Sequence, residues 1–288
     1  MVGTPDNPLT QSSTYSGKVY RLSSTQGSLS LEFLRDQLDG TTIHLDPPSE
    51  YEEDDDLIKP DVFKKDGKIK IITTIEDVEI VGDGSLRALS GNIVLDETGS
   101  VVFRDDRVLI LDTESVRFLS FSDGDDYYMV LIAGRNLVEN VLEIIREKLG
   151  NLDLSLLEVN LSSDDIEHIA DQLAEELLNT TFQDFPQSSI NKKYISGRGY
   201  QSEPEYQEEK KRGSVRTHMM ATQEIGEGEK VISISEDALV RSYSNMELET
   251  YLTLIQEYLL PQISKQSTVT DFTAPGDQST VNDFADQN

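Results

Sequence analysis

Between Lys68 and Ala133 the chain repeats one pattern: short runs of β-branched and aromatic residues, broken by turn-forming ones. The runs are KIKIITT, EDVEIV, NIVLD, SVVFR, RVLIL, SVRFLSF and YYMVLIA, and GDG (82–84), ETG (97–99) and DGDD (123–126) supply breaks between them. Runs this short and this branched predict a meander of antiparallel strands. The meander leads into RNLVENVLEIIREKLG (135–150), where Leu137, Val141, Leu142, Ile144, Ile145 and Leu149 form one apolar helical stripe. Gly150 stands where a helix C-cap is expected.

A curved antiparallel sheet closed by one amphipathic helix resembles the pleckstrin-homology-like fold. The likeness spans about residues 66–150 and lies in the element order alone. Upstream, KVYRLS (18–23) predicts a strand and GSLSLEFLRDQLDG (27–40) a short helix. Leu31, Leu34 and Leu38 share a face of that helix, Ser28 or Ser30 caps it and Gly40 ends it. TTIHL (41–45) alternates like a strand, and PPSEYEEDDD (47–56) reads as a charged loop.

A second unit repeats this logic. SSDDIEHIADQLAEELL (162–178) predicts a helix capped by Ser162 or Ser163, with Asp164 and Asp165 at its positive end. Its buried stripe is Ile166, Ile169, Leu173 and Leu177. Strand candidates TTFQDF, KKYIS, VRTHMMAT, KVISIS and ALVRSYS follow, and NMELETYLTLIQEYL (245–259) closes the unit as a helix. The two closing helices align at an offset of 110 residues: Glu139, Leu142, Ile145, Glu147 and Leu149 match Glu249, Leu252, Ile255, Glu257 and Leu259. An internal duplication gives such a match, and so do any two amphipathic helices. The expected architecture is α+β. Two antiparallel-sheet modules, 17–150 (with an acidic loop at 47–67) and 151–261, each close with an amphipathic helix. They lie between a flexible N-terminus (1–16) and a disordered tail (262–288).

Composition narrows the chemistry. The chain has 288 residues, 54 Asp and Glu against 25 Lys and Arg, a net charge of −29 and no cysteine. The missing cysteines exclude disulfides, thiolate metal sites and cysteine nucleophiles. So acidic a chain repels duplex nucleic acid unless a local basic face overrides the mean field. The carboxylates run from Asp36 to Asp286 rather than clustering in one tail. That spread, with abundant Asp, Ser and Thr, resembles proteins of halophilic archaea, whose surfaces are adapted to screening salt. No apolar run approaches the roughly 20 residues that cross a bilayer, and the first residues lack the basic and apolar regions of a secretory signal. A soluble, cytoplasmic protein with no membrane contact is the expectation.

Catalytic signatures are scarce. His44, His168 and His218 lie in different elements without metal-ligand spacing, and His168 falls opposite its helix's apolar stripe. Neither a metal nor a cofactor is expected. SDGDDYY (122–128) lacks the ladder of a calcium loop and reads as a hairpin turn. Pro60, Asp61, Asp66 and Lys68, and separately Glu208 with Lys210, resemble the acidic-acidic-Lys grouping of metal-dependent nucleases, but without the strand pattern that chemistry needs. There is no P-loop, GxSxG or dinucleotide-binding glycine pattern. An enzyme using scattered carboxylates would leave no local signature.

One basic region stands out. Lys192, Lys193, Arg198, Lys210, Lys211, Arg212 and Arg216 interleave with Tyr194, Tyr200 and Tyr206. Basic residues alternating with aromatics suit single-stranded nucleic acid. Glu203, Glu205, Glu208 and Glu209 dilute the patch, and a flexible loop between strands accounts for it equally.

The tail writes one word twice: QSTVTDF (266–272) and QSTVNDF (278–284). In each copy the two apolar residues sit three apart, so one helical turn puts them on the same side of an otherwise polar peptide. Such a peptide fits a hydrophobic groove. Gln-x-x-aliphatic-x-x-aromatic resembles the motif by which replication and repair proteins bind the sliding clamp, PCNA. The resemblance implies that Gln266 and Gln278 enter a small polar pocket, while Val269, Phe272, Val281 and Phe284 fill an apolar one. The family's second aromatic is replaced by Thr273 and Ala285, and Val stands where Leu, Ile or Met is usual. Each change removes buried area worth about 1–3 kcal/mol, so single copies are weak and duplication offsets this by rebinding. The reading is a non-enzymatic accessory protein tethered to the clamp, whose body contacts DNA through 192–216 or recruits another protein. The rival is a signalling or structural adaptor with no DNA role.

Overall fold

The computed structural model describes residues 8–24, 29–133, 135–185 and 191–263. After a 3-10 turn at Pro8–Thr10, the first part comprises β1 (Ser12–Ser13), β2 (Ser16–Ser24), α1 (Leu31–Leu38), β3 (Thr41–Leu45), α2 (Ser49–Glu53), β4 (Leu57–Ile58), β5 (Lys64–Lys65) and β6 (Lys68–Ile69). The meander follows as β7 (Ile71–Val81), β8 (Ala88–Phe103), β9 (Asp106–Asp123) and β10 (Asp126–Ile132), then α3 (Arg135–Gly150) and β11 (Leu154–Glu158). The remainder is α4 (Ser163–Leu173), β12 (Glu176–Gln183), β13 (Lys192–Ser196), α5 (Pro204–Arg212), β14 (Ser214–Thr222), β15 (Lys230–Ser235), β16 (Leu239–Ser242), β17 (Met246–Glu247) and α6 (Leu248–Leu254).

The protein is α+β with mostly antiparallel pairing. Among the described residues one sheet runs β13-β12-β14-β15-β16-β2-β10-β9-β8-β7-β3, so strands from both halves of the chain share it. The join is β2, which pairs with β10 on one side and β16 on the other, both antiparallel. Alternation along the strands sends side chains to two opposite cores. Tyr20, Leu22, Phe118, Met129 and Leu131 face one, which α1 and α3 cover with Leu34, Leu38, Val141, Ile145 and Leu149. Val19, Leu119, Phe121, Tyr128 and Val130 face the other, which α4 and α6 cover with Ile166, Ile169, Leu173, Tyr251 and Leu252.

The helix caps follow the sequence closely. Ser30 accepts from the Phe33 amide, and Ser162 with Asp165 forms a reciprocal capping box. Several boundaries differ. α3 includes Gly150, and the reversal falls at Asp153, with φ +58°, since a short polar side chain tolerates the left-handed region. α4 ends at Leu173, and Leu177 belongs to β12, because the Thr-rich ELLNTTFQ run pairs with β13 and β14 instead of extending the helix. Residues 8–16, expected to be loose, are held by two apolar anchors: Leu9 and Tyr15 are buried, and the Tyr15 ring lies 5.1 Å from that of Tyr251. The 49–53 stretch forms a short exposed helix inside the acidic segment.

Helix α6 continues as a π-turn at Ile255–Leu259. The wider i→i+5 turn lies just before Pro261, whose ring would crowd a carbonyl of a regular α-helix.

The largest difference is at ETG. Residues 97–99 form no turn. NIVLD and SVVFR merge into one 16-residue strand, and RVLIL and SVRFLSF into an 18-residue one. Paired without interruption from Ala88↔Phe121 to Phe103↔Asp106, β8 and β9 outrun β7, whose pairing with β8 stops at Leu95. The excess of β8 and β9 forms an arm, edged near its tip by the two-residue β4, which pairs in parallel with β9.

Candidate functional site

The segment 192–216 is a strand, a 3-10 turn, a helix and another strand, in place of the expected loop. The signals for α5 are local: Pro204 at its first position, Glu205 in the first turn, and Lys210, Lys211 and Arg212 in the last. Its buried face is narrow, with only Tyr206 and Glu209, so no apolar stripe announced it.

The structure pairs five of the seven basic residues with carboxylates. Lys193 lies 2.7 Å from Glu209 and 3.1 Å from Glu205, and Arg198 lies 3.6 Å from Glu176. Lys210 pairs with Glu167 and Arg212 with Glu208, each at 2.6 Å, and Arg216 lies 3.2 Å from Glu236. The hydrogen bonds that Lys193 donates to Glu209 and Glu205 raise its pKa. Lys192 and Lys211 are exposed. Of the interleaved aromatics, Tyr200 and Tyr206 are buried, their rings 5.3 Å apart and tilted by 59°, leaving Tyr194 exposed. Stacking platforms for bases must face solvent, and two of the three rings face the core instead.

Behind this segment is a buried polar group. Thr180 Oγ1 lies 2.8 Å from His218 Nδ1 and 2.8 Å from the Tyr200 hydroxyl. His218 is 1 % exposed. Burial first, and then the positive charge of Lys210, pushes its pKa down to about 4. Burial also raises Tyr200 to about 12. The imidazole is therefore neutral at pH 7 and ties β14 to β12 and to the turn at 200–202. Sequence spacing could not show this grouping, since Thr180 and His218 are 38 residues apart.

His44 and His168 are exposed on separate elements. Among the described residues no group of three or more His, Asp or Glu side chains comes together to hold a metal ion. Asp61 pairs with Lys64 at 2.6 Å, and Glu208 and Lys210 turn to different partners, so neither nuclease-like grouping assembles. DGDD is the β9–β10 hairpin, with Asp126 held 2.6 Å from Arg21. The clamp-motif residues Gln266, Val269, Phe272, Gln278, Val281 and Phe284 lie outside the described residues.

Among the described residues, the largest group of exposed large apolar side chains, Val101, Val102, Phe103 and Ile110, lies on the β8–β9 arm. Residues opposite in an antiparallel ladder share a face. One face presents Val102, Leu109 and Leu111; there Leu109 is 1 % exposed and packs with Leu57 of β4 and Ile69 of β6, while Val102 at the tip is open. The other continues the surface that α1 and α3 cover on the body, but past Leu95 it presents Gly99, Val101, Phe103, Val108 and Ile110 to solvent. Val101, Phe103 and Ile110 are 44 %, 63 % and 37 % exposed.

The chain matches no known family model, and no curated protein matches it. What the fold defines is an α+β protein on a mostly antiparallel sheet, with no helix among the described residues long and apolar enough to cross a membrane.

Proposed function

We propose that this chain is a non-enzymatic accessory protein, tethered by its tail to the sliding clamp in DNA replication or repair, in the cytoplasm of a salt-adapted archaeon or in one of its viruses. The observation that carries the reading is the doubled word, QSTVTDF and QSTVNDF, within 23 residues of the chain end. Gln266, Val269 and Phe272 make one anchor set, and Gln278, Val281 and Phe284 the other.

The body recruits a second protein rather than DNA. Support comes from the 192–216 segment, where five of seven cations already face a carboxylate. Counterion release from DNA needs cations that are free to meet phosphates. The same observation favours the rival adaptor with no DNA role, and the tail decides between them. We further infer that the two halves arose by duplication. In support, antiparallel β7–β10 ends in α3, and the strands β12–β16 end in α6.

The test is calorimetric titration of the full chain into a PCNA ring from a halophilic archaeon in molar salt, beside Phe272→Ala, Phe284→Ala and the double variant. Micromolar binding, kept by each single variant and lost in the double, is the expected outcome. No binding by the intact chain overturns the clamp reading and leaves the adaptor.

A further inference from the structure

We propose that the uncovered face of the β8–β9 arm docks an amphipathic helix of a second protein, its apolar stripe flanked by lysine or arginine. This rests on the adaptor reading of the body and not on the tail. The arm is a preformed platform: eight residue pairs hold it, from Asp96↔Thr113 to Phe103↔Asp106. Its back is covered around Leu109 by Leu57 and Ile69, and β4 pairs in parallel with the edge of β9. At the tip the back still exposes Val102, 74 % accessible, but the front carries the longer apolar run, Val101, Phe103, Val108 and Ile110. A contiguous apolar surface on a rigid element marks an interaction site.

The spacing suits a helix. Alternate residues of a strand lie roughly 7 Å apart, and successive i, i+4 positions of a helix rise about 6 Å, so two apolar helix rows can follow Val101–Phe103 and Val108–Ile110.

Charge selects the occupant. By register, Glu97, Asp106, Asp112 and Glu114 share this face with the apolar residues, and Glu97 stands directly opposite Asp112. Arg104 lies over the Phe103 ring at 5.4 Å, at the very tip. A second copy would set this acidic rim against itself. The chain's own end, 264–288, brings one cation, Lys265, against Asp271, Asp277, Asp283 and Asp286. An anionic lipid surface meets the same repulsion. A basic partner meets only Arg104 at the tip, and pairs with the rim while covering the centre.

The probe is a synthetic Leu/Lys amphipathic helix of about 18 residues, five turns, titrated into the full chain, with a same-composition peptide whose stripe is scrambled. Salt is held near 0.5 M, where exposed charges more than a few Å apart are screened. The expected result is binding of the ordered peptide about tenfold or more tighter than the scrambled one, with amide exchange slowed at 97–112. Val101→Glu with Ile110→Glu abolishes that difference, and Asp112→Lys with Glu114→Lys weakens it without touching the apolar centre. These side chains are surface-exposed, so circular dichroism of the variants should match the parent. Equal affinity for both peptides, protection elsewhere, or indifference to both variant pairs overturns the proposal. So does self-association or binding to anionic vesicles that the apolar pair abolishes, since either assigns the face to another occupant. If the peptide binds here while the clamp titration fails, only the tail reading falls.

Discussion

His218 is where the chemistry of a single side chain bears on the whole fold. Its ring is buried against Thr180, and its pKa falls from 6.5 to about 4 because burial disfavours the imidazolium. Between those values the unfolded chain binds a proton that the folded chain refuses, so folding stability rises with pH across the window and is lost as pH drops through it. A shift of that size corresponds to about 3 kcal/mol at most. Urea unfolding from pH 4 to 7 should show this slope in the parent, and a His218→Gln variant should flatten it. An unchanged slope in the variant would assign the pH dependence to carboxylates. The neutral ring also explains why a histidine so near Lys210 is a structural cross-link. Its Nδ1 shares a hydrogen bond with the buried Thr180 hydroxyl, inside the core.

At the scale of elements, Gly91 shows how a long strand is packed. A Cβ there would lie 2.6 Å from Phe118 Cε1 and 2.7 Å from Cζ, and Phe118 has no exposed surface into which to move. Gly91→Ala should cost about 1–3 kcal/mol of stability by overpacking. Gly99, on the same strand but in the arm, meets only Ile110 at 3.4 Å. Gly99→Ala should be close to neutral, and denaturant midpoints of the two variants compare them directly. If both behave alike, body and arm do not differ in packing as described. The same contrast marks what the sequence could convey. Caps at Ser30 and Ser162, the stripes of α1, α3 and α4, and most of the longer strands were legible, since each depends on neighbours within a turn or two; β11 and the two-residue strands β1, β4, β5 and β17 were not. ETG looked like a break because Gly usually is one, and only the partner strand's length carries the ladder through it. The placing of β2 between β10 and β16, and the pairing of Lys193 with Glu209 across α5, depend on contacts that no local pattern records. The arm's bare face was invisible for the same reason: Val101 and Ile110 read as ordinary core alternation until the sheet behind them ended.

For the whole molecule the balance is electrostatic. With 54 acidic and 25 basic side chains, full pairing of every cation still leaves a net charge of −29 to repel itself. Two salt effects then compete. Screening weakens ion pairs such as Arg21–Asp126 and Lys210–Glu167, which lowers stability, and it weakens the repulsion among the excess carboxylates, which raises it. Surface pairs contribute only about 0–1 kcal/mol each, and most of those here are at least partly exposed. The repulsion acts over every acidic neighbour at once, so it should dominate. Melting temperature should climb between about 0.1 and 1 M salt, as the Debye length shrinks from roughly 10 to 3 Å, and flatten beyond. NaCl and KCl should act alike, because screening depends on ionic strength and not on a bound cation. A fall in melting temperature over that range would mean that the ion pairs dominate and would remove the physical basis for assigning the chain to a salt-rich cell. A rise in KCl alone would point to specific cation binding among the carboxylates.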